Sequence, residues 1–122
     1  MSQPIYWKSF VESERLVGKH TTIPEEEDLS RLGADIQWFD DEGSRLEKED
    51  FYPGIAVSND GFIPVGGCNI GSGDPYFICE KDGVGGPLYR IYHDVVREDG
   101  YCREDAVAIV LQSYQSIAKF KK

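Results

Sequence analysis

The residues most suggestive of catalysis are a histidine–aspartate pair, His93-Asp94, and a further acidic side chain, Asp74. An imidazole beside carboxylates is what hydrolases use for general acid–base chemistry or for holding a metal ion. A metal site needs several convergent ligands, and the other histidine, His20, lies far away in the sequence. We therefore expect His93 to end a strand with its ring bonded to a neighbouring group. We expect no catalytic residue, no metal and no cofactor.

A glycine-rich segment, Gly66–Gly73, invites comparison with phosphate-binding loops. A P-loop requires a Lys-Ser/Thr pair after its second glycine and a helix beyond it. The residues here are Ser72-Gly73-Asp74-Pro75, without a lysine, and Asp74 would repel a phosphate. Ser72 also lies outside a Gly-x-Ser-x-Gly nucleophile elbow. The segment is therefore interpreted as a structural turn, in which glycine supplies backbone angles that other residues avoid.

The three cysteines, Cys68, Cys79 and Cys102, are odd in number and form no Cys-x-x-Cys pair. This pattern favours reduced thiols over a disulfide framework. The N-terminal residues lack a basic segment followed by an apolar one, and no apolar run approaches the ~18 residues that a membrane span requires. These features predict a cytoplasmic protein that does not insert into membranes.

The formal net charge of −9 is concentrated in one segment, Glu25–Asp50, where eleven acidic side chains face three basic ones. Nucleic acid is disfavoured as a partner because phosphate binding needs clustered Lys and Arg. Two explanations remain: a solvated face that keeps the protein soluble, and a surface for a basic protein partner. The second explanation predicts six partner-binding residues: Asp40, Asp41, Glu42, Glu47, Glu49 and Asp50.

Three helical elements are predicted in the N-terminal half. In the first, Ile5, Phe10 and Val17, with Trp7 as a further candidate, point toward the core, although an early strand over Tyr6–Val11 also fits. The second begins with a proline followed by acidic residues, which suit a first helical turn, and should end at a glycine. The three elements are Ile5–Val17, Ile23–Gly33 and Ser44–Asp50.

Short apolar runs separated by turn residues predict strands. Asn59-Asp60-Gly61 is a strong hairpin signal between the runs on either side of it. The predicted strands are Ile36–Phe39, Gly54–Ser58, Phe62–Val65, 75–80 and 87–93.

The C-terminal residues predict a helix docked on a sheet. Apolar residues there recur at spacings of three and four. Acids in the first turn and lysines at the end match the helix dipole. The residues on the apolar face are Val107, Val110, Leu111, Tyr114, Ile117 and Ala118. Together with the other elements and a length of 122 residues, this predicts a single compact α+β domain over residues 1–122, with helices flanking an antiparallel sheet.

The glycine- and aromatic-rich half of the chain resembles the SUKH superfamily, in particular the Smi/Knr type named after a fungal regulator of cell-wall synthesis. The resemblance covers about residues 51–118. It rests on the motifs Tyr52-Pro53-Gly54-Ile55-Ala56, Gly73-Asp74, Tyr76-Phe77, Gly86-Pro87-Leu88-Tyr89 and His93-Asp94, followed by a C-terminal helix.

The resemblance implies a compact α+β domain without known catalysis, and a bacterial group of immunity proteins that bind and neutralise a cognate toxin, often a nuclease. A nuclease domain presents a basic face, which suits the acidic segment of this chain. The leading hypothesis is thus a cytoplasmic, non-enzymatic immunity protein. A regulatory or scaffolding interaction domain without a toxin partner is the alternative, and a hydrolase that uses His93, Asp94 and Asp74 is a second one.

Overall fold

Six antiparallel strands form one sheet at the centre of the structure, a computed structural model that describes residues 3–69 and 74–120. Each strand pairs with the next one along the chain, so the order in the sheet equals the order in the sequence. The strands are β1 (His20–Ile23), β2 (Ala34–Trp38), β3 (Phe62–Cys68), β4 (Tyr76–Cys79), β5 (Leu88–Ile91) and β6 (Val107–Leu111).

Helices occupy the connections and the N-terminus, which makes the protein a single compact α+β domain. The α-helices are α1 (Ile5–Glu14), α2 (Asp41–Asp50), α3 (Gly54–Val57) and α4 (Arg103–Ala106). Single 3₁₀ turns cover Ser58–Asp60, Glu80–Asp82 and His93–Val95, and a longer one covers Tyr114–Lys119.

The sheet is buried on both faces, as β4 shows most clearly. Tyr76 and Ile78 belong to a core cluster that also holds Trp7 of α1, whereas Phe77 and Cys79 belong to a second cluster. Alternate residues of a strand point to opposite faces, so the two clusters lie on the two sides of the sheet. Because both faces are covered, the run Tyr76–Cys79 is apolar throughout instead of alternating.

The predicted strands around residues 36, 62, 75 and 87 are confirmed, with boundaries that shift by a few residues. Three aromatic residues of the SUKH-like motifs, Tyr76, Phe77 and Tyr89, are buried in the core, whereas a fourth, Tyr52, is exposed. The strand β1 was not expected from the sequence. It forms because Thr21 and Ile23 alternate with exposed residues and pair with β2.

The first predicted helix is confirmed, and the alternative of a strand there is wrong. It ends at Glu14, where Arg15 adopts a left-handed conformation that closes the helix. Trp7 is fully buried, as predicted, but Ile5 is 69% exposed and Val17 is also exposed. The core contact of α1 depends on aromatic packing of Trp7 against Trp38 and Tyr114 instead.

No helix forms over residues 23–33, and that prediction is wrong. One turn starts at Pro24, whose carbonyl accepts hydrogen bonds from the amides of Glu27 and Asp28. The Asp28 carboxylate then accepts bonds from the amide and hydroxyl of Ser30, which competes with helix continuation. Gly33, with a φ of 75°, leads the chain into β2.

The predicted strand over residues 54–58 is also wrong, because these residues form α3 and enter a 3₁₀ turn. Asn59-Asp60-Gly61 is a turn, as expected, with Gly61 at a φ of 91°. It leads from a helix into β3 and therefore makes no hairpin.

The long C-terminal helix is absent from residues 103–120, in contrast to the prediction. Residues Val107–Leu111 form the edge strand β6, which pairs with β5, and a 3₁₀ turn follows. Val107, Ile109 and Val110 are β-branched and fit a pleated surface better than a helix. The side chains of Val110 and Tyr114 are nevertheless buried, so the apolar pattern identified core residues but not their conformation.

Within residues 3–69 and 74–120, no helix has the length and apolar character needed to cross a membrane. The predicted glycine-rich turn falls in part outside the described residues, because Ile70–Gly73 are not among them.

Candidate functional site: an acidic helix beside an aromatic pocket

The six residues predicted to bind a partner all lie on helix α2 or at its N-cap. The Asp40 side chain caps the helix by accepting a hydrogen bond of 2.7 Å from the Gly43 amide. Acids in the first turn, Asp41 and Glu42, match the positive end of the helix dipole. Between Asp40 and Asp50 the sequence has six acidic and two basic side chains, a local net charge of −4.

Two of the six carboxylates share one cation of the same helix, Arg45. Its guanidinium bonds to Glu42 and, at 2.8 Å, to Glu49. The hydrogen bond from Arg45 lowers the pKa of Glu42 below its ordinary value of 4.5. All three groups are exposed or nearly so, and solvent-exposed i,i+3 and i,i+4 pairs contribute little to helix stability.

Asp41 has a structural role as well as an electrostatic one. Its carboxylate accepts a hydrogen bond of 2.9 Å from the backbone amide of Gln3 and lies 3.9 Å from Lys8 Nζ. The Gln3 side chain donates to Ser44 Oγ at 2.8 Å. These bonds attach the N-terminal segment to the start of α2, so replacing Asp41 would disturb folding as well as charge.

Glu47 and Asp50 remain without a hydrogen-bond or ion-pair partner within the described part of the chain. Asp50 is exposed, as expected for a solvated carboxylate, whereas Glu47 is half-buried. Burial without a compensating cation raises the pKa of Glu47 above its ordinary value. A carboxylate that is partly removed from water costs free energy. Pairing with a cation would therefore stabilise Glu47 more than the other, more exposed acidic side chains on α2.

A pocket of about 300 Å³ adjoins Glu47, and aromatic side chains form much of its wall. Phe39, Phe51 and Tyr52 line it together with Glu47 and Gly67. Phe51 is 54% exposed and Tyr52 is 44% exposed, unusual values for large apolar side chains that are adjacent in the sequence. We call this feature the aromatic pocket.

The pocket wall is built by close backbone approaches that only glycine permits. The Phe39 ring lies against Gly67, where an added Cβ would come within 3.3 Å of the ring. On α3, a Cβ at Gly54 would lie 2.1 Å from the Glu47 carbonyl oxygen. Gly54 therefore lets α3 cross next to the backbone of α2, and this crossing holds the end of α2 in place.

Sequence reasoning identified the acids of α2 but missed the aromatic pocket beside them. The available signal was Asp50-Phe51-Tyr52-Pro53, two large aromatic residues at the end of a polar helix. A helix with little apolar character does not need two aromatics for its own packing. The contribution of Phe39 and Gly67 depends on the pairing of β2 with β3, which the sequence does not reveal.

The structure brings together two of the three residues proposed for hydrolase chemistry. The Asp74 carboxylate accepts a hydrogen bond of 2.9 Å from the His93 amide, and the same oxygen lies 2.6 Å from His93 Nδ1. Asp74 is nearly buried and His93 is exposed. This agrees with the expected histidine at the end of a strand, bonded to a neighbouring carboxylate.

The third member, Asp94, is exposed and has no hydrogen-bond or ion-pair partner within residues 3–69 and 74–120. No group of three or more His, Cys, Asp or Glu side chains in those residues is arranged to hold a metal ion. Cys102 is exposed, but its hydrogen bond to Glu104 raises the pKa of the thiol and so disfavours the nucleophilic thiolate.

The acidic residues that precede α2 do not all contribute to the surface. Asp28 is buried and forms an ion pair with Arg90, and the Asp35 carboxylate lies 3.0 Å from His20 Nδ1. Glu25, Glu26 and Glu27 are exposed in the turn before β2. Exposed acids therefore lie in this turn as well as on α2, and further ones, such as Glu98 and Asp99, lie elsewhere on the surface.

A second, larger cavity of about 590 Å³ has a different character. Arg15, Lys19 and His20 line it with the apolar side chains of Leu16 and Phe120. It shares no lining residue with the aromatic pocket. The six predicted partner-binding acids thus cluster on α2 and its cap, while basic side chains gather at the end of α1.

Comparisons with protein-family models, with curated proteins and with solved structures found no match to this chain.

Proposed function

We propose that this chain is a cytoplasmic, non-enzymatic immunity protein of the SUKH type that binds a basic toxin domain through the surface of α2. One observation carries the proposal: all six predicted partner-binding carboxylates lie on one ten-residue helix or its cap, next to exposed aromatic side chains. Aromatic residues supply binding energy in protein interfaces, whereas exposed charges set the association rate and the choice of partner.

The fold supports the proposal without identifying the family. An antiparallel sheet with helices fits the α+β domain that the SUKH resemblance implies, and the motif residues Tyr76, Phe77 and Tyr89 lie in the core. The long C-terminal helix of the family pattern is absent, because a strand and a 3₁₀ turn take its place. Cys79 and Cys102 are free thiols, in keeping with a reducing compartment. We expect neutralisation by occlusion. Helix α2 would cover the basic rim of the toxin's active site and so block the access of the toxin's acidic substrate.

A direct test is co-expression with basic toxin domains encoded beside this chain in its own source. We expect the chain to rescue growth and to co-purify with one such domain. A variant with Glu42→Gln, Glu49→Gln and Asp50→Asn tests the role of α2 and should rescue growth less well than the wild type. Full rescue by this variant would contradict a role for α2.

A regulatory or scaffolding domain without a toxin partner is the alternative. The surface of α2 would serve such a domain equally well. This alternative predicts a basic partner that is not toxic when produced alone. Toxicity of the isolated partner in a growth assay therefore separates the two proposals.

The second alternative, a hydrolase, is favoured by one observation, the Asp74–His93 contact of 2.6 Å. In a hydrolytic triad, a carboxylate orients the imidazole that acts as the base for the nucleophile. This proposal predicts hydrolysis of a chromogenic ester by the purified chain and its loss in His93→Ala. The immunity proposal predicts no such difference between the two proteins.

A further inference from the structure

We propose that the aromatic pocket receives an arginine side chain of the basic partner, with Glu47 as the carboxylate that pairs with its guanidinium and Phe39, Phe51 and Tyr52 as the walls that hold it. The inference rests on the proposed function in one respect, that the partner is basic. It adds the anchor point and the residue type that occupies it.

Charge complementarity identifies the occupant as a cation. Glu47 is the one charged side chain among the described residues that line the pocket, and no basic side chain contributes to the lining. Within the part of the chain that the structure describes, its carboxylate pairs with no cation, in contrast to Glu42 and Glu49, which share Arg45. An apolar occupant would bury this carboxylate further without pairing it, which is unfavourable.

The aromatic walls favour guanidinium over ammonium. Arginine is planar and weakly hydrated, stacks on aromatic faces and bonds to a carboxylate through two parallel N–H groups. A cation above an aromatic ring is attracted by the negative face of the ring, more strongly when water is excluded. A volume of about 300 Å³ has room for one long side chain.

The pocket also has the location expected of an anchor. Exposed carboxylates on α2, including Glu42, Glu49 and Asp50, lie along the same helix as Glu47. Hot spots of interfaces are desolvated aromatic or arginine contacts surrounded by polar groups that contribute less energy. A partner drawn in by the outer charges would place its arginine in the aromatic-lined, carboxylate-bearing cavity beside them.

The experiment is an NMR titration of the isotope-labelled full chain with a small probe, N-acetyl-arginine amide. Binding is detected as chemical-shift changes of the backbone amide resonances. We expect saturable shifts at Phe39, Glu47, Phe51 and Gly67. N-acetyl-citrulline amide, which has the same shape without the charge, should bind at least about tenfold more weakly, the loss expected for a hydrogen bond to a charged group. N-acetyl-lysine amide should also bind more weakly, because it lacks the planar stacking group.

Two variants make the test specific. Glu47→Gln should weaken arginine-amide binding about tenfold. Glu27→Gln, the same chemical change at an exposed carboxylate in the turn before β2, should leave it within about twofold. Spectra of both variants show directly whether each is folded.

Equal binding of the arginine and citrulline amides would overturn the proposal that the aromatic pocket binds an arginine side chain. Chemical-shift changes confined to residues outside the pocket would overturn it as well. Equal binding of the lysine amide would overturn the choice of guanidinium. Neither result touches the proposed function, which is tested separately by growth rescue and co-purification. Conversely, arginine-amide binding in the pocket would stand even if no toxin partner exists.

Discussion

The guanidinium of Arg90 lies 3.6 Å from the carboxylate of Asp28, and both side chains are completely buried. Arg90 also donates to the Gly33 carbonyl at 2.6 Å, to the Tyr76 hydroxyl at 2.8 Å and to Ser30 Oγ at 2.9 Å. A single cation on β5 thereby fastens the irregular segment before β2 to the sheet. This explains why residues that look like a helix start form a turn instead.

Removing the anion from this buried pair should be strongly destabilising. We expect Asp28→Ala to lower the free energy of unfolding by about 3–5 kcal/mol, because Arg90 would be left as an uncompensated buried charge. The neighbouring and exposed Glu27→Ala should change it by no more than about 0.5 kcal/mol. Denaturant unfolding of the three proteins measures both values. Similar stabilities for the two variants would mean that Asp28 is not buried with Arg90.

The crossing of α2 and α3 requires glycine at position 54. A methyl group in Gly54→Ala would lie 2.1 Å from the Glu47 carbonyl oxygen, so the helices must move apart. We expect a loss of about 3 kcal/mol, the upper part of the range for overpacking. Gly43→Ala is the control, since its nearest contact would be 3.2 Å and the gain in helix propensity of about 1 kcal/mol offsets the crowding. Thermal unfolding that ranks the two variants in the opposite order would contradict the crossing.

Glu47 should lower stability at neutral pH. Its pKa in the folded state is raised above the ordinary value of 4.5 by burial, so the native state holds this proton more tightly than the unfolded state. The contribution of Glu47 to stability is therefore full below the ordinary pKa and is lost as the pH rises through the folded-state pKa. We expect Glu47→Gln to be at least as stable as the wild type at about pH 7, with the difference shrinking at about pH 4.

Denaturant unfolding at the two pH values measures this difference directly. Glu49→Gln serves as the matched control and should be slightly less stable than the wild type at neutral pH, because it loses its bond to Arg45. A Glu47→Gln protein that is clearly less stable at neutral pH would show that the carboxylate is well paired in the native state, and the argument for an open cation site would fail.

Buried tyrosines should make the protein sensitive to alkali. Burial raises the pKa of Tyr76 to about 12, and burial together with the bond to Asp82 raises that of Tyr89. A raised pKa contributes stability that is full below the ordinary value of 10.0 and is lost as the pH rises through the folded-state value. In a titration of phenolate absorbance, Tyr76 and Tyr89 should ionise only well above the ordinary value, together with unfolding. Complete ionisation near pH 10 in a folded protein would contradict the burial of Tyr76.

The fold class followed from the sequence because local signals and global packing agree over much of the chain. The runs of β4 and β5 are short, rich in aromatic and aliphatic residues and each preceded by a proline, and the structure forms strands there. Trp7 and Tyr114 were correctly assigned to the core because large aromatics require burial. Strands that follow one another in sequence usually lie side by side, and here they do so even where helices lie between them, as between β2 and β3.

Failures of prediction occur where a distant contact decides the local structure. Residues 23–33 have a helix-start composition, but the buried Arg90 draws Asp28 inward and bends the chain. Residues Val107–Leu111 have helical spacing, but the free edge of β5 offers hydrogen bonds that a strand can use. The aromatic pocket could not be predicted for the same reason, since Phe39 and Gly67 meet only through strand pairing.

The central claim is that the carboxylates of α2 form the surface that meets a basic partner. Its test is the association rate with the basic domain recovered by co-purification, measured against salt concentration for three proteins. The first is the wild type. The second has Glu42→Gln, Glu49→Gln and Asp50→Asn on α2. The third has Glu25→Gln, Glu26→Gln and Glu27→Gln in the turn before β2, an equal change in net charge on exposed residues elsewhere.

We predict that the α2 variant associates more slowly than the other two at low salt and that the rates converge as salt rises, since exposed charges are screened over about 10 Å at 0.1 M ionic strength. Folding should be nearly unaffected, because each exposed change costs no more than about 0.5 kcal/mol. Equal slowing of the two neutralised variants would mean that only net charge matters. Equal rates for the α2 variant and the wild type at low salt would contradict the account directly.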